Sequence, residues 1–282
     1  LQKEETMALV VRTNIAAGKT LNQLNTSSRA LQRSFERLAT GKRISRSADD
    51  AAGLGVAENL LAASTSAAVA ERNANDGISM ISVAEGATSE IGSILTRMRE
   101  LAVQASSETL GTTERAYVDA EYQELALEID RIAAVTEFNG VALIDGTLAT
   151  VAVQVGIRNT ASDRIDITMG DLTATTLGVD GGAVNLSTVT AARAALDTLD
   201  TAAASVSSIR AGFGATENRL TSAITNLGTF TQTTMEAESR IRDADFGYET
   251  ATLSRNQILQ QAGVSVLAQA NQINSAAVQL LQ

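Results

Sequence analysis

The sequence predicts a mainly α-helical protein. Long antiparallel helices should form a coiled-coil-like bundle, with a small β-hairpin inserted between them. Three observations carry this expectation. The 282 residues include no proline, so nothing forces a helix to break. Apolar residues recur at steps of three and four almost from end to end. Aromatic residues make up only 3%, too few to anchor a conventional globular core.

The first helical stretch comes after a short polar segment, residues 1–6, which reads as an upstream extension or an expression remnant. Its apolar seam is Val10, Ala17, Leu21, Leu24, Ser28, Leu31, Phe35 and Leu38. Gly41 and the stretch from Ile44 to Asp50 interrupt it, and Ser47 reads as the N-cap of the next helix. A second helical stretch covers roughly 48–105, strongest at Ile78, Ile81, Ile91, Leu95, Met98, Leu101 and Ala105. A turn at Ser106–Gly111 precedes a third, capped by Thr112 or Thr113, with the seam Val118, Tyr122, Leu125, Ile129 and Ile132.

Asn139-Gly140 then marks a turn, because both residues tolerate positive φ. The period changes there from 3.6 to 2. Val151, Val153, Val155 and Ile157 alternate with small or polar residues, as do Ile165, Ile167 and Met169, which predicts a β-hairpin with one half-buried face. Residues 170–188 read as loop with a short irregular strand. From Val189 the helical rhythm returns through Ala192, Leu196, Leu199, Ala203, Val206, Arg210, Phe213, Glu217, Leu220, Ile224, Leu227 and Thr231. Gly212 and Gly214 inside it suggest close helix packing. A polar joint at 239–247 leads to a last helix through Leu259, Ala262, Val266, Ala270, Ile273, Ala277 and Leu280. Each terminal helix has a narrow apolar stripe and is not stable alone in water. Pairing the two covers only part of each stripe, so the rest needs other copies of the chain.

The chemistry available is narrow. With no His and no Cys, catalytic triads, Cys–His dyads and thiolate zinc sites are excluded. Gly41-Lys42 lacks the upstream Gly and the succeeding Ser or Thr of a phosphate-binding loop. Gly53-Leu54-Gly55 and Gly212-Phe213-Gly214 lack the third glycine of a dinucleotide site. The pairs Asp49/Asp50 and Asp243/Asp245 read as helix-start charge and joint hydrogen bonds rather than acid–base or calcium groups. No cofactor, metal or catalytic residue is expected. A net charge of −10 argues against nucleic acid, and Lys42, Arg43 and Arg46 read as a solvated helix end. No apolar run is long enough to enter a membrane as a span, and Leu1–Leu24 does not read as a secretory signal.

Several blocks together resemble bacterial flagellin. They are Arg37-Leu38-Ala39-Thr40-Gly41-Lys42-Arg43-Ile44 with Ser47-Ala48-Asp49-Asp50-Ala51-Ala52-Gly53-Leu54, then Arg99-Glu100-Leu101-Ala102-Val103-Gln104, Glu128-Ile129-Asp130-Arg131-Ile132 and Val153-Gln154-Val155-Gly156. In the second half they are Asn218-Arg219-Leu220, Glu238-Ser239-Arg240-Ile241-Arg242-Asp243-Ala244-Asp245 and Ala268-Gln269-Ala270-Asn271-Gln272. The chain departs from the family at Glu217, where Gln is usual, and at Ile273-Asn274-Ser275, where a Pro is usual. Almost nothing separates the hairpin from the returning helix, so it resembles a short form without outer domains.

The resemblance implies a subunit of the extracellular flagellar filament, exported through the flagellar secretion channel. It implies an inner terminal-helix domain from 7–46 and 239–282, and a helical domain from 47–140 and 189–238 carrying the insertion 141–188. The implied self-assembly residues are Leu21, Leu24, Leu31, Phe35, Leu38, Leu259, Val266, Ile273 and Leu280. Arg240, Arg242, Asp243 and Asp245 form the interdomain joint. The implied partners are further copies of the chain, an export chaperone, and the filament cap and hook-junction proteins. A host innate immune receptor would read Arg97, Leu101 and Glu121. Two other readings stay open: a hook–filament junction protein and, from a different class, a signalling coiled coil.

Overall fold

The structure is a computed structural model that describes residues 13–279, with side chains to residue 272. Val10, residues 1–6, Leu280 and the side chains of Ile273 and Ala277 lie outside the described set. The order is α1 (Ile15–Thr40), α2 (Ala51–Ala105), α3 (Thr112–Val135), β1 (Glu137–Phe138), β2 (Val141–Ala142), β3 (Thr150–Gln154), β4 (Arg164–Thr168), α4 (Ala174–Leu177), α5 (Val189–Arg242) and α6 (Phe246–Gln279). The mainly helical class is as expected. The chain forms two compact units, 1–61 with 234–282 (unit 1) and 62–233 (unit 2).

Unit 2 is a closed core. The seams of α2 (Ile81, Ile91, Leu95, Met98, Leu101), α3 (Val118, Tyr122, Ile129, Ile132) and α5 (Leu199, Val206, Phe213, Leu220) meet in one cluster. The β3–β4 hairpin adds Val153, Ile165 and Ile167, with Val155 and Met169 just beyond its strands. Its antiparallel register pairs Val151 with Ile167 and Val153 with Ile165, so the alternation puts one face inward. Ile157 lies beyond β3 and is exposed, because the chain has already turned into the 156–163 loop. In α5 the seam passes through buried Ala202 and not Ala203. Arg210 is exposed, where its guanidinium lies 2.8 Å from Glu85, and Glu217 is exposed too.

Four local expectations change. Asp50, not Ser47, caps α2, its Oδ1 accepting from the Gly53 N–H at 2.9 Å. Thr112 and Thr113 are the first helical residues of α3, and its N-cap is Gly111. Gly212 and Gly214 face open space. The close approaches occur instead at Gly77, where an added Cβ would sit 3.2 Å from Val153, and at Gly170, against Ile209. Residues 170–188 hold the short helix α4, and Leu172, Leu177, Val179, Val184 and Leu186 are core. Polar groups of α3 order that segment: Asp130 accepts from Ala174 N–H at 2.7 Å and Asp119 from Leu186 N–H at 2.5 Å. Asn139 and Gly140 have φ of 52° and 76° and make the two-residue turn between β1 and β2.

Arg115 is buried and has no carboxylate partner among the described residues. It donates to the carbonyls of Ala105 (2.9 Å), Ser107 (3.0 Å) and Leu110 (3.0 Å), satisfying the C-terminal end of α2 and the turn after it.

Candidate assembly surface

Unit 1 is built around the antiparallel pair α1 and α6. Asn14 caps α1 by accepting from Ala17 N–H (2.9 Å), and its amide donates to the Ala270 carbonyl (3.1 Å). At the other end Arg37 lies 3.7 Å from the buried Glu249 carboxylate. Gly41 closes α1 in the left-handed conformation, φ 69°, as a helix C-terminus favours. Its carbonyl accepts from Ala244 N–H at 2.9 Å, while Arg43 N–H donates to Arg242 O at 2.7 Å. Two short polar segments therefore join by backbone hydrogen bonds, which hold the two helices in register. Gly53 is needed beside them, since a Cβ there would lie 2.9 Å from the buried Ile44 side chain.

The buried side chains of α1 and of the described part of α6 are small or polar. Ala17, Ser27 and Ser34 are the buried residues of α1, and Asn256 and Glu249 those of the described part of α6. The line of closest contact runs one position round the helix from the expected seam, through Ser27 and Ser34 rather than Ser28 and Phe35. Leu24, Leu31 and Leu38 are consequently half-buried, while Leu21 and Phe35 stand 46% and 51% exposed. On α6, Leu259 and Val266 are 47% and 53% exposed, and Ile258 and Val264 are exposed beside them. Two shallow grooves flank the pair. One runs between Leu31 and Phe35 on α1 and Gln257, Gln261 and Val264 on α6. The other runs between Leu24 and Ser27 on α1 and Leu259, Gly263 and Val266 on α6. The arrangement offers an apolar strip with polar edges, the signature of a protein–protein surface.

The joint residues act locally. Arg240 and Arg242 pair with Glu236 (3.9 Å) and Glu238 (3.4 Å) one turn earlier on α5, not with the neighbouring aspartates. Asp245 caps α6, accepting from Gly247 N–H (2.8 Å) and Tyr248 N–H (3.1 Å). Asp243 accepts from the Ser239 hydroxyl (2.6 Å) and bridges Lys42 through the backbone.

In unit 2, Arg97 donates to Glu121 (2.7 Å) and Glu100 (2.9 Å) on the surface. Hydrogen bonding to Glu121, then to Glu100, raises the Arg97 pKa above its ordinary value. Leu101 does not join them. It is 1% exposed and part of the core, so the expected Arg–Leu surface pair is corrected: a helix position four residues from Arg97 has rotated inward. Among the described residues no cluster of His, Cys, Asp and Glu could hold a metal, and no helix is long and apolar enough to cross a membrane.

Comparison with known proteins gives one consistent result. Residues 11–149 match the bacterial flagellin N-terminal helical region, and residues 196–281 match the bacterial flagellin C-terminal helical region. Flagellin of Halalkalibacterium halodurans is 40% identical over 97% of this chain and 100% of its own length. Flagellin of Bacillus subtilis is 40% identical over 95% of this chain and 98% of its own. A flagellar filament 33 kDa core protein of Treponema phagedenis is 34% identical over 97% and 100%.

Proposed function

The chain belongs to the bacterial flagellin family and is a structural subunit of the extracellular flagellar filament, and we propose that the uncovered strip of α1 and α6 is the surface that copies bury in each other. The observation that carries this is the inverted burial of the helix pair, with small polar residues inside and Leu21, Phe35, Leu259 and Val266 outside. Burying each such side chain is worth roughly 1.5–3 kcal/mol, so a row of them is a strong drive to associate. The strip lies on two different helices and is not self-complementary by necessity. Heterologous contacts of that kind repeat without closing and give an open helical polymer. Ile273 and Leu280 continue the same sequence pattern.

The halves 7–46 and 239–282 serve as the inner terminal-helix domain, and 47–140 and 189–238 with the insertion 141–188 as the helical domain. The subunit passes through the flagellar secretion channel, is held beforehand by an export chaperone at its C-terminal helix, and meets the cap and hook-junction proteins at the filament ends. Arg240, Arg242, Asp243 and Asp245 set the geometry of the joint. A host innate receptor reading the monomer would touch the Arg97–Glu121 pair without the Leu101 side chain. No catalytic role is assigned.

Electron microscopy after salt- or seed-induced assembly tests the central reading. The full chain should form long filaments. A chain lacking residues 259–282 should stay soluble, keep the unit 2 helices by circular dichroism, and form none. Filaments of normal diameter from the truncated chain would remove the α1–α6 strip from the mechanism.

A further inference from the structure

With no cysteine, histidine or tryptophan, the chain leaves its five methionines as the side chains that a two-electron oxidant attacks most readily. Their surroundings differ sharply. Met80, Met98 and Met169 are buried at 6%, 0% and 5% within the unit 2 core. Met235, in the part of α5 that belongs to unit 1, is 56% exposed. Its neighbour Thr234 faces inward at 6%, so the helix fixes one side against the protein and holds the Met235 thioether in solvent. Met7 lies outside the described residues. Met235 also shares unit 1 with the exposed apolar residues described above, in the part of the molecule where a polar group added to the surface would matter for association.

We propose that, among the described residues, Met235 is the oxidant-reactive site of the folded subunit, that peroxide converts it to the sulfoxide, and that this weakens polymerisation. The last clause rests on the filament reading. In the reaction the peroxide O–O bond breaks and one oxygen bonds to Met235 Sδ. The sulfur is oxidised from thioether to sulfoxide, and the peroxide is reduced to water. The product replaces a flexible apolar tip with a strong acceptor. Once covered by another subunit, that oxygen needs a donor which an apolar contact does not supply.

Dilute hydrogen peroxide on purified full-length monomer, with peptide mass spectrometry as the readout, tests the first part. Met235 should oxidise at least roughly tenfold faster than Met80, Met98 and Met169, and the difference should vanish in denaturant. Oxidation of Met235 no faster than those three would overturn the assignment. Seeded growth tests the second part. Oxidised wild type should grow roughly tenfold more slowly, as for one polar group left unpaired in a contact. Oxidised Met235→Leu, which keeps the other four methionines, should grow at the untreated rate. Met235→Gln should slow growth without oxidant. Equal slowing of oxidised wild type and oxidised Met235→Leu would exclude Met235 as the cause. Failure of the untreated chain to polymerise would count against the filament reading instead, and the order of methionine reactivity would still be decided by the first measurement.

Discussion

Unit 2 and unit 1 use the same few residue types to opposite ends. In unit 2 the large aliphatic side chains of three helices and a hairpin meet each other, and Tyr122, Phe213 and Leu101 are almost fully enclosed. In unit 1 the buried hydrophobic residues among those described are Ala17, Ile44 and Ala57, the other buried residues of α1 and α6 are Ser27, Ser34, Glu249 and Asn256, and backbone hydrogen bonds join the segments that flank the pair. On the proposed reading, a domain that folds alone closes its core, and a segment that polymerises keeps its apolar side chains for the next copy. The difference is one of rotation: turning α1 by about one residue, roughly 100°, decides whether Phe35 or Ser34 faces α6.

The largest expected single-residue effect lies in unit 2. Phe213→Ala should cost about 3–5 kcal/mol of monomer stability, since a fully enclosed aromatic leaves a cavity that long helices cannot easily fill. Urea denaturation of the monomer measures it. The counterpart in unit 1 is Phe35→Ala, which should cost the monomer less, about 1–2 kcal/mol, because only half of the ring is buried there. Its effect should emerge in assembly, where losing about 2 kcal/mol of burial per subunit raises the critical concentration roughly thirtyfold. If Phe35→Ala destabilised the monomer as Phe213→Ala does, the contrast between the units would be lost.

These two phenylalanines also show what is legible in the sequence. Both sit on seams with steps of three and four, and the seam alone does not say which is inside. Spacing locates the helices, the hairpin and the turn at Asn139-Gly140. It does not give rotation to better than a residue, which is why Ser28 stands in for Ser27 and Ala203 for Ala202; for Leu101 the seam is right and the surface role implied by the resemblance is not. The 170–188 segment reads as loop because its apolar residues have no period. What orders them is long-range, through Asp119 and Asp130 on α3. Arg115 gives no signal for a similar reason. A lone basic residue in a first turn looks solvated until the carbonyls of the preceding turn are brought to it. Arg115→Met keeps the bulk and removes the donors, so it should cost about 1.5 kcal/mol and leave polymerisation of the folded fraction unchanged.

The smallest effect expected is a pH dependence of unit 2. Asp171 anchors the start of α4. Partial burial raises its pKa, but hydrogen bonds from the Thr176 hydroxyl (2.6 Å) and from the Thr173 N–H (3.0 Å) and hydroxyl (2.8 Å) outweigh it, and the carboxyl is held below its ordinary value. A depressed folded pKa means that the unfolded state binds the proton more readily. The stabilisation is therefore complete above the ordinary aspartate value of about 3.9 and is lost as pH falls through the folded pKa. Unit 2 should show a stability plateau from neutral pH down to about 4.5 and a decline below it. Asp145 shares this sign, its pKa lowered by the Thr147 hydroxyl and N–H. Replacing Thr176 with Val removes the strongest bond to Asp171 while keeping the shape of the side chain, so the decline should become shallower between about pH 4.5 and 3. Near-ultraviolet circular dichroism of the tyrosines, of which only Tyr122 is enclosed, tracks unfolding of unit 2. An acid profile identical in wild type and Thr176→Val would show that Asp171 contributes nothing to the pH response, and would leave Asp145 and the Arg-paired surface carboxylates Glu128 and Asp200 as its source.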